Sequence, residues 1–304
     1  MGIVVTLNSL KIFSQSNDVV KSILDCKGLP EYFNQTKFLV NRPFGFSVAE
    51  KNTIGLAFVQ FPTNENPRRI FRFPSWDTAG YLGAVVTDKQ GNSYVTPRPF
   101  INTLNNEPAK QNTIYKVNSD NGEMYPFIEL TKGCQQNFNT NPYGLMGITY
   151  DCETNILYAS SIFGSEIDNE CGSIYAIKLV NEGRVIDTIS GIDAIGIGIV
   201  YINGKKKLFY GKARTSDIYE IGLNSNGTFL GQSRWGLSIL GLGIRGDDKA
   251  RKIYFDTKGD LLISGINFNF NLANQDSVIE YIYRFRYNQL VAHWEFVNIE
   301  KGQL

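Results

Sequence analysis

Residues 144–179 read GLMGITYDCETNILYASSIFGSEIDNECGSIYAIKL, a stretch in which three apolar runs alternate with two polar turns. The runs are residues 145–150, 156–162 and 174–179, and the turns are residues 151–155 and 165–170. Runs of about six residues that are rich in Ile, Tyr and Leu and bounded by Asp, Asn and Gly are typical of β-strands. The stretch therefore predicts a small antiparallel meander.

Two signals from this meander recur along the chain. A turn that begins with Asp and ends with Asn or Asp occurs at residues 88–92, 151–155 and 256–260. Asp and Asn cap such turns through side-chain hydrogen bonds to the backbone that follows. An Ile-aromatic pair opens the third run of each unit, at residues 70–71, 114–115, 174–175, 218–219 and 282–283. Four-stranded units that recur every 40–60 residues or so are typical of propeller blades.

We therefore predict an all-β fold, a six-bladed β-propeller that forms a single domain over residues 1–304. Residues 39–300 supply five clear blades, and residues 1–38 supply an irregular N-terminal blade. The alternative is five blades plus an N-terminal edge hairpin, because residues 1–38 match the repeat poorly. The hydrophobic content of 42% is sufficient for the core of such a domain.

The charge of the chain is balanced. It has 30 Lys and Arg residues against 29 Asp and Glu residues, a net charge of +1, without a long run of either sign. Nucleic acids and anionic membranes attract basic patches, so the sequence predicts neither as a partner. It also contains no apolar stretch long enough for a membrane-spanning helix.

The four cysteines are Cys26, Cys134, Cys152 and Cys171, and no two of them form a CxxC pair that would indicate a zinc site. The repeat places Cys134 and Cys171 on one face of their blade. It places Cys152 on the other face, roughly 20 Å away. Cys134–Cys171 is therefore the predicted disulfide, and an extracellular or periplasmic location would follow from it. Free cysteines would leave a cytoplasmic location open.

The long loops predict the functional face. Residues 100–111, 163–172 and 267–276 all connect second to third strands, so they lie on the face where the first strands begin. Ligand sites concentrate on loops that a rigid scaffold holds. The first strands begin beside glycines, which crowding near the axis requires. We predict that seven side chains line the channel mouth and bind a small ligand. These are Arg42, Phe44, Tyr81, Asn141, Tyr143, Asp193 and Arg245.

The residues themselves predict no cofactor and no metal site. His293 is the single histidine, which excludes a histidine-rich metal site. The turn at residues 165–170 offers Glu166, Asp168, Asn169 and Glu170, whose oxygen atoms suit Ca²⁺. Because exposed turns of this composition are ordinarily only solvated, Ca²⁺ is the alternative here.

The run GLMGITYDCETNILYASS, followed by GSIYAIKL, resembles the NHL-repeat and senescence-marker/gluconolactonase superfamily of six-bladed propellers. The resemblance covers about residues 40–300 and concerns the pattern of the blades. It implies a divalent cation at the axis, bound by Glu, Asn and Asp, and Asn141 lies near the position of such an Asn. Ser160 and Ser161 stand where the Asp is expected, and no Glu-Gly-Pro entry occurs near the N-terminus.

Two functions follow from these observations. We predict a non-catalytic propeller that binds a small molecule or a protein partner through its long-loop face. The alternative is a metal-dependent hydrolase or lactonase with a divergent axial site, in which the cation polarises a carbonyl or activates water. The second function requires clustered carboxylates at the channel mouth, where the sequence offers Asp193 and Asn141.

Overall fold

In the part of the chain that it describes, a computed structural model shows twenty β-strands in five antiparallel sheets that form a β-propeller. It describes residues 19–22, 26–50, 53–64, 66–99, 102–131, 133–180, 182–272 and 279–302. Within these residues the predicted all-β propeller is confirmed, and the five sheets match the five-blade alternative.

The sheets follow one another along the chain, apart from β1 (Val20–Ser22), which pairs with the fourth sheet. The first sheet contains β2 (Phe44–Ser47), β3 (Ala57–Gln60) and β4 (Arg69–Phe71). The second contains β5 (Leu82–Thr87), β6 (Ser93–Pro97), β7 (Thr113–Val117) and β8 (Met124–Glu129). The third contains β9 (Leu145–Asp151), β10 (Ile156–Ser161), β11 (Ser173–Lys178) and β12 (Arg184–Ser190). The fourth contains β13 (Ala194–Ile202), β14 (Lys205–Lys212), β15 (Asp217–Leu223) and β16 (Phe229–Ser238). The fifth contains β17 (Lys249–Phe255), β18 (Leu261–Ile266), β19 (Tyr281–Asn288) and β20 (His293–Lys301).

Helical structure in the described residues is limited to three 3₁₀ turns, at Glu31–Thr36, Pro74–Asp77 and Pro108–Lys110. None of them has the length or the apolar character of a membrane-spanning helix.

The repeated sequence signals take the structural positions predicted for them. Each Ile-aromatic pair lies in the third strand of its sheet, in β4, β7, β11, β15 or β19. The Asp88 carboxylate accepts hydrogen bonds from the backbone N–H groups of Gln90 (2.9 Å) and Asn92 (3.0 Å). Asp256 does the same for Lys258 (2.8 Å) and Asp260 (3.0 Å). The aspartates thus stabilise the turns between first and second strands.

Four hydrophobic clusters join neighbouring sheets, first to second, second to third, third to fourth and fourth to fifth. Trp76 lies in the first of them, fully buried, and its Nε1 donates a hydrogen bond to the Gly122 carbonyl at 2.7 Å. No such cluster joins the fifth sheet to the first within the described part of the chain. Most of the N-terminal blade predicted for residues 1–38 lies at residues 1–18 and 23–25, outside the described residues.

Glycines allow the first strands to approach one another closely near the axis. A Cβ atom on Gly196 would lie 2.5 Å from the carbonyl oxygen of Ala250, and one on Gly198 would lie 2.4 Å from that of Ile253. Both glycines belong to β13 and both neighbours to β17. The predicted crowding is therefore the physical reason for Gly196.

Two disulfides cross-link the molecule. Cys134 and Cys171 form one, with their Cα atoms 5.9 Å apart, and this is the pair expected to share a face. Cys152 lies on the other face and pairs with Cys26, with Cα atoms 6.4 Å apart. The second disulfide was not predicted, because the repeat does not specify the position of the segment that carries Cys26.

Candidate functional site

Side chains from three sheets converge in a group that we call the central cluster: Arg98, Tyr143, Arg251, Lys252 and Glu280. Arg98 follows β6, Tyr143 precedes β9, and the others lie in β17 or just before β19. The guanidinium carbon of Arg98 lies 5.9 Å from the centre of the Tyr143 ring, and the charges of Arg98 and Arg251 interact. Because other sheets separate the second sheet from the fifth in the ring, this convergence places the cluster at the centre of the propeller.

A bulge in β17 explains why two successive residues of this strand enter the cluster. Ala250 and Ile253 are buried in the core between the fourth and fifth sheets. The pairing of β17 with β18 shifts between Ala250 and Lys252, so Arg251 is an extra residue. A bulge interrupts the alternation of side chains between the two faces of a strand. Arg251 and Lys252 can therefore both reach the Glu280 carboxylate.

The ionic contacts of the cluster centre on one oxygen atom. Arg251 Nη1 lies 2.7 Å from Glu280 Oε1, and Lys252 Nζ lies 3.4 Å from the same atom. The Glu280 side chain is 8% exposed, whereas those of Arg251 and Lys252 are 23% and 30% exposed. Solvent therefore reaches the two cations more readily than the carboxylate that they share.

Burial and positive neighbours both shift the pKa values of the cluster. Burial, together with the charge of Arg98, lowers the pKa of the Arg251 guanidinium to about 10. Burial and the Arg251 charge also lower the pKa of Lys252. Burial alone would raise the pKa of Glu280, but Arg251 and Lys252 outweigh it and hold this pKa below its usual value. A positive neighbour thus contributes, beside burial, to the pKa of each of the three groups.

An aromatic surface lies beside these charges. The rings of Tyr143 and Phe268 are 5.6 Å apart, and those of Phe268 and Phe270 are also 5.6 Å apart. The Tyr143 hydroxyl donates a hydrogen bond to the Asn271 carbonyl at 3.3 Å. This bond ties the loop after β18 to the segment that enters β9. The loop therefore contributes to the wall of the central cluster.

A second arginine holds the loop between β10 and β11 in place. Arg214 Nε donates to Asp193 Oδ2 at 2.9 Å, and its Nη2 donates to the Asn169 carbonyl at 2.9 Å. It also donates to the carbonyls of Glu166 and Ile167. A disulfide fixes the end of the same loop. This part of the long-loop face is therefore preorganised.

The same contacts bear on the predicted Ca²⁺ alternative at residues 165–170. Carbonyl oxygens of this turn accept hydrogen bonds from Arg214, and the Glu170 carboxylate lies 3.2 Å from Lys212. Across the described residues, no group of three His, Cys, Asp or Glu side chains is arranged to hold a metal ion. The binding of Ca²⁺ at this turn stays a prediction, and cations of the protein already occupy its oxygens.

Phe44 and Asn141, two of the predicted ligand residues, have structural roles. Phe44 packs in the aromatic core of the first sheet, where its ring lies 4.8 Å from that of Phe33. Asn141 is fully buried, and its Oδ1 accepts a hydrogen bond from the Tyr143 N–H at 3.0 Å. Both side chains therefore support the entry of a first strand.

Asp193 and Arg245 also have partners within the protein. Asp193 is fully buried, 2.7 Å from Arg214, and burial raises its pKa although Arg214 opposes the shift. Arg245 forms an ion pair with Asp248 through two nitrogen atoms. Ion pairing within the protein engages the charged groups of both residues.

The remaining predicted residues are Arg42, Tyr81 and Tyr143. Tyr143 belongs to the central cluster. Tyr81 is half-buried, and its backbone N–H donates to Asn106 Oδ1 at 3.1 Å. Arg42 is buried and donates from Nη2 to the Phe61 carbonyl at 2.7 Å. Its Nε and Nη1 are buried and find no hydrogen-bond partner among the residues that the structure describes. Ligand binding by these residues stays a prediction.

Sequence reasoning missed four members of the cluster, namely Arg98, Arg251, Lys252 and Glu280. A signal was present for two of them. Arg251 and Lys252 are adjacent charges inside KARKIYF, which forms the first strand of its sheet. The first strands β2 and β9 contain no Lys or Arg. Charged residues inside such a strand indicate either a bulge or a functional role.

The opposite face of the propeller contains a cavity of about 260 Å³ between the second and third sheets. Asp88 lines it and accepts hydrogen bonds from Asn92 Nδ2 at 3.0 Å and from the Tyr94 hydroxyl at 3.1 Å. These side chains satisfy one another as part of a turn. We therefore regard the central cluster as the candidate site.

No protein-family model and no curated protein matches the chain. Among solved structures it is similar to a luciferin-regenerating enzyme, with 11% identity over 93% of this chain and 80% of that one, and a TM-score of 0.49. A putative 6-phosphogluconolactonase from Bacteroides uniformis ATCC 8492 has 12% identity over 86% of this chain and 68% of that one, with a TM-score of 0.47. The soluble aldose sugar dehydrogenase of Escherichia coli has 15% identity over 78% and 77%, with a TM-score of 0.38. At these levels the similarity concerns the propeller fold alone and transfers no activity.

Proposed function

We propose that this protein is a non-catalytic β-propeller that binds a small molecule at the central cluster, on the side of the long loops. The observation that carries the proposal is the convergence of side chains from three sheets around charges that solvent reaches, beside an aromatic surface. Ligand sites combine an apolar wall with a few polar groups in this way. A small molecule is preferred to a protein partner because these groups lie at the centre rather than on a flat surface.

The rigidity of the surrounding loops supports the proposal. The Tyr143 hydroxyl, the Arg214 contacts and the Cys134–Cys171 disulfide hold the loops after β10 and β18. Groups that are ordered before binding lose less entropy when a ligand arrives. A preorganised site of this kind suits a small ligand.

The metal-dependent hydrolase has no comparable support. Its axial cation needs clustered carboxylates, and the part of the chain that is described contains no group of three suitable ligands. Asp193 and Asn141 are the metal ligands that the sequence suggests. Asp193 forms an ion pair with Arg214, and Asn141 hydrogen-bonds to the backbone. The relation to the NHL-repeat and senescence-marker/gluconolactonase superfamily is proposed on the blade pattern. An extracellular or periplasmic location is proposed from the two disulfides.

A fragment screen by ligand-observed NMR tests the proposed function. The library contains neutral and charged fragments, and each hit is measured again on two variants. Arg251→Trp fills the central cluster, and Gln90→Trp fills the cavity on the opposite face. We expect the hits to disappear with Arg251→Trp and to persist with Gln90→Trp. The absence of hits, or their loss only with Gln90→Trp, would refute the proposal.

A further inference from the structure

The ionic balance of the central cluster is unequal. Arg251 and Lys252 both pair with Glu280 Oε1, and neither has another ion pair within the described chain. Two cations therefore share one carboxylate. The charge of Arg98 adds to the positive field at Arg251. The cluster has at least one positive charge more than its own carboxylate neutralises.

Hydrogen bonding in the cluster is also incomplete. A guanidinium carries five N–H donors, and the described residues accept one hydrogen bond from Arg251, at Glu280. The Ser264 hydroxyl faces the same region because Ser264 pairs with Lys252 in the sheet. This hydroxyl is buried and lies near enough to Glu280 to help lower the pKa of that carboxylate. Donors thus exceed acceptors at this position.

Cationic donors are costly to remove from water unless an acceptor of opposite charge replaces the water. An oxyanion would do so, because a guanidinium binds two oxygen atoms of a carboxylate or phosphoryl group side by side. A neutral ligand would leave the excess charge unchanged. The Arg251 and Lys252 side chains are 23% and 30% exposed, so an incoming group can contact them.

We infer that the ligand of the central cluster is a small anion, and that its carboxylate or phosphoryl group binds between Arg251 and Lys252. This inference rests on the proposed function and specifies the class of its ligand. Glu280 is then a positioning residue, which holds the two cations together and does not touch the anion. The aromatic surface of Tyr143 and Phe268 accommodates the rest of the molecule.

Calorimetric titration of the full chain with inorganic phosphate and with citrate tests the inference, at constant ionic strength set with sodium chloride. The two probes distinguish a phosphoryl from a carboxylate preference. We expect saturable binding of at least one of them. Lys252→Gln removes a charged hydrogen bond to the anion and lowers the affinity about tenfold or more. The matched control is Lys258→Gln, which removes one positive charge from an exposed turn of the same sheet and leaves the affinity within about twofold.

Glu280→Gln gives a result of opposite sign. It removes the competing negative charge, so the affinity for the anion increases and the anion raises the melting temperature more than it does for the wild type. If the cluster is only an internal ion-pair network, Glu280→Gln lowers stability and no anion restores it. Should Glu280→Gln fail to fold, the anion affinities of Lys252→Gln and Lys258→Gln still test whether the anion binds at the cluster.

The outcomes separate this inference from the proposed function. Neutral fragments that bind at the cluster while phosphate and citrate do not would overturn the inference and leave the proposed function intact. Equal loss of affinity in Lys252→Gln and Lys258→Gln would show diffuse charge attraction and would also overturn it. If neither fragments nor anions bind, both fail.

Discussion

Replacement of Gly196 by alanine tests whether the close approach of β13 and β17 positions the central cluster. The added Cβ would lie 2.5 Å from the Ala250 carbonyl oxygen, 2.7 Å from the Arg251 carbonyl carbon and 2.8 Å from the Arg251 oxygen. All three neighbours are backbone atoms, so no side chain can rotate away. The two strands must move apart, and Arg251 moves with β17.

The expected cost combines two effects of opposite sign. Overpacking of a core by a methyl group costs about 1–3 kcal/mol. Replacement of a strand glycine by alanine recovers about 0.5–1 kcal/mol, because the unfolded chain loses conformational freedom. With three backbone contacts below 3.0 Å, overpacking dominates. We expect a net loss of about 2 kcal/mol in the free energy of unfolding.

Urea unfolding followed by tryptophan fluorescence measures this loss, with Gly236→Ala as the matched control. Gly236 lies in β16, and a Cβ there would meet its nearest atom, the Ile218 carbonyl oxygen, at 3.3 Å. The control should therefore be neutral or slightly stabilising. A Gly196→Ala variant as stable as Gly236→Ala would refute the close packing of β13 against β17. Phosphate affinity, where the wild type binds phosphate, should fall with Gly196→Ala and remain unchanged with Gly236→Ala.

Three further predictions concern stability. Replacement of both cysteines of the Cys134–Cys171 disulfide, which spans 37 residues, should lower the free energy of unfolding by about 4 kcal/mol. Loss of the Cys26–Cys152 disulfide, which spans 126 residues, should lower it by about 5 kcal/mol, because the longer loop gains more entropy in the unfolded chain. Equal urea midpoints for the two variants would contradict this order. Trp76→Phe leaves the buried Gly122 carbonyl without its donor and should lower the free energy of unfolding by about 2 kcal/mol in the same assay. An unchanged urea midpoint would show that this hydrogen bond contributes nothing to stability. Hydrogen bonds from Arg286 lower the pKa of Asp260, so its stabilising contribution is present above pH 3.8 and is lost as the pH falls through the lower folded pKa. Melting temperatures measured against pH should fall less at acid pH for Asp260→Asn than for the wild type. This difference between the two proteins should shrink in high salt because Arg286 is exposed. Parallel profiles would argue against a stabilising Asp260–Arg286 ion pair.

An anion that binds the central cluster, as inferred above, would meet further positive charges on the long-loop face. Arg214 occupies the carbonyl oxygens of the loop at residues 165–170, and its guanidinium lies over the Phe270 ring at 4.9 Å. Arg98 lies over the Tyr143 ring in a similar way. Cations thus line the aromatic surface that leads to the centre. We expect this arrangement to attract negative charge toward the cluster.

The strand skeleton could be predicted from the sequence because its signals are local. Asp88 and Asp256 hydrogen-bond to residues two and four positions ahead, so each turn is specified by five residues. The Ile-aromatic pairs mark third strands because an apolar run bounded by turns has few other conformations. Gly196 was assigned to crowding at the axis, and the structure supplies the neighbouring strand that causes it. These features need no knowledge of which sheets face one another.

The central cluster was decided by tertiary structure alone. Arg98, Tyr143 and Arg251 belong to different sheets, and only the closure of the sheets around an axis brings their side chains together. The bulge that turns both Arg251 and Lys252 toward Glu280 depends on the register between β17 and β18. Of the residues predicted at the channel mouth, Tyr143 lies in the central cluster, whereas Asp193 forms an ion pair with Arg214. Turn chemistry acts over a few residues. The sharing of Glu280 by Arg251 and Lys252 depends on the register within the fifth sheet, and the approach of Arg98 and Tyr143 depends on closure of the ring, which no local pattern encodes.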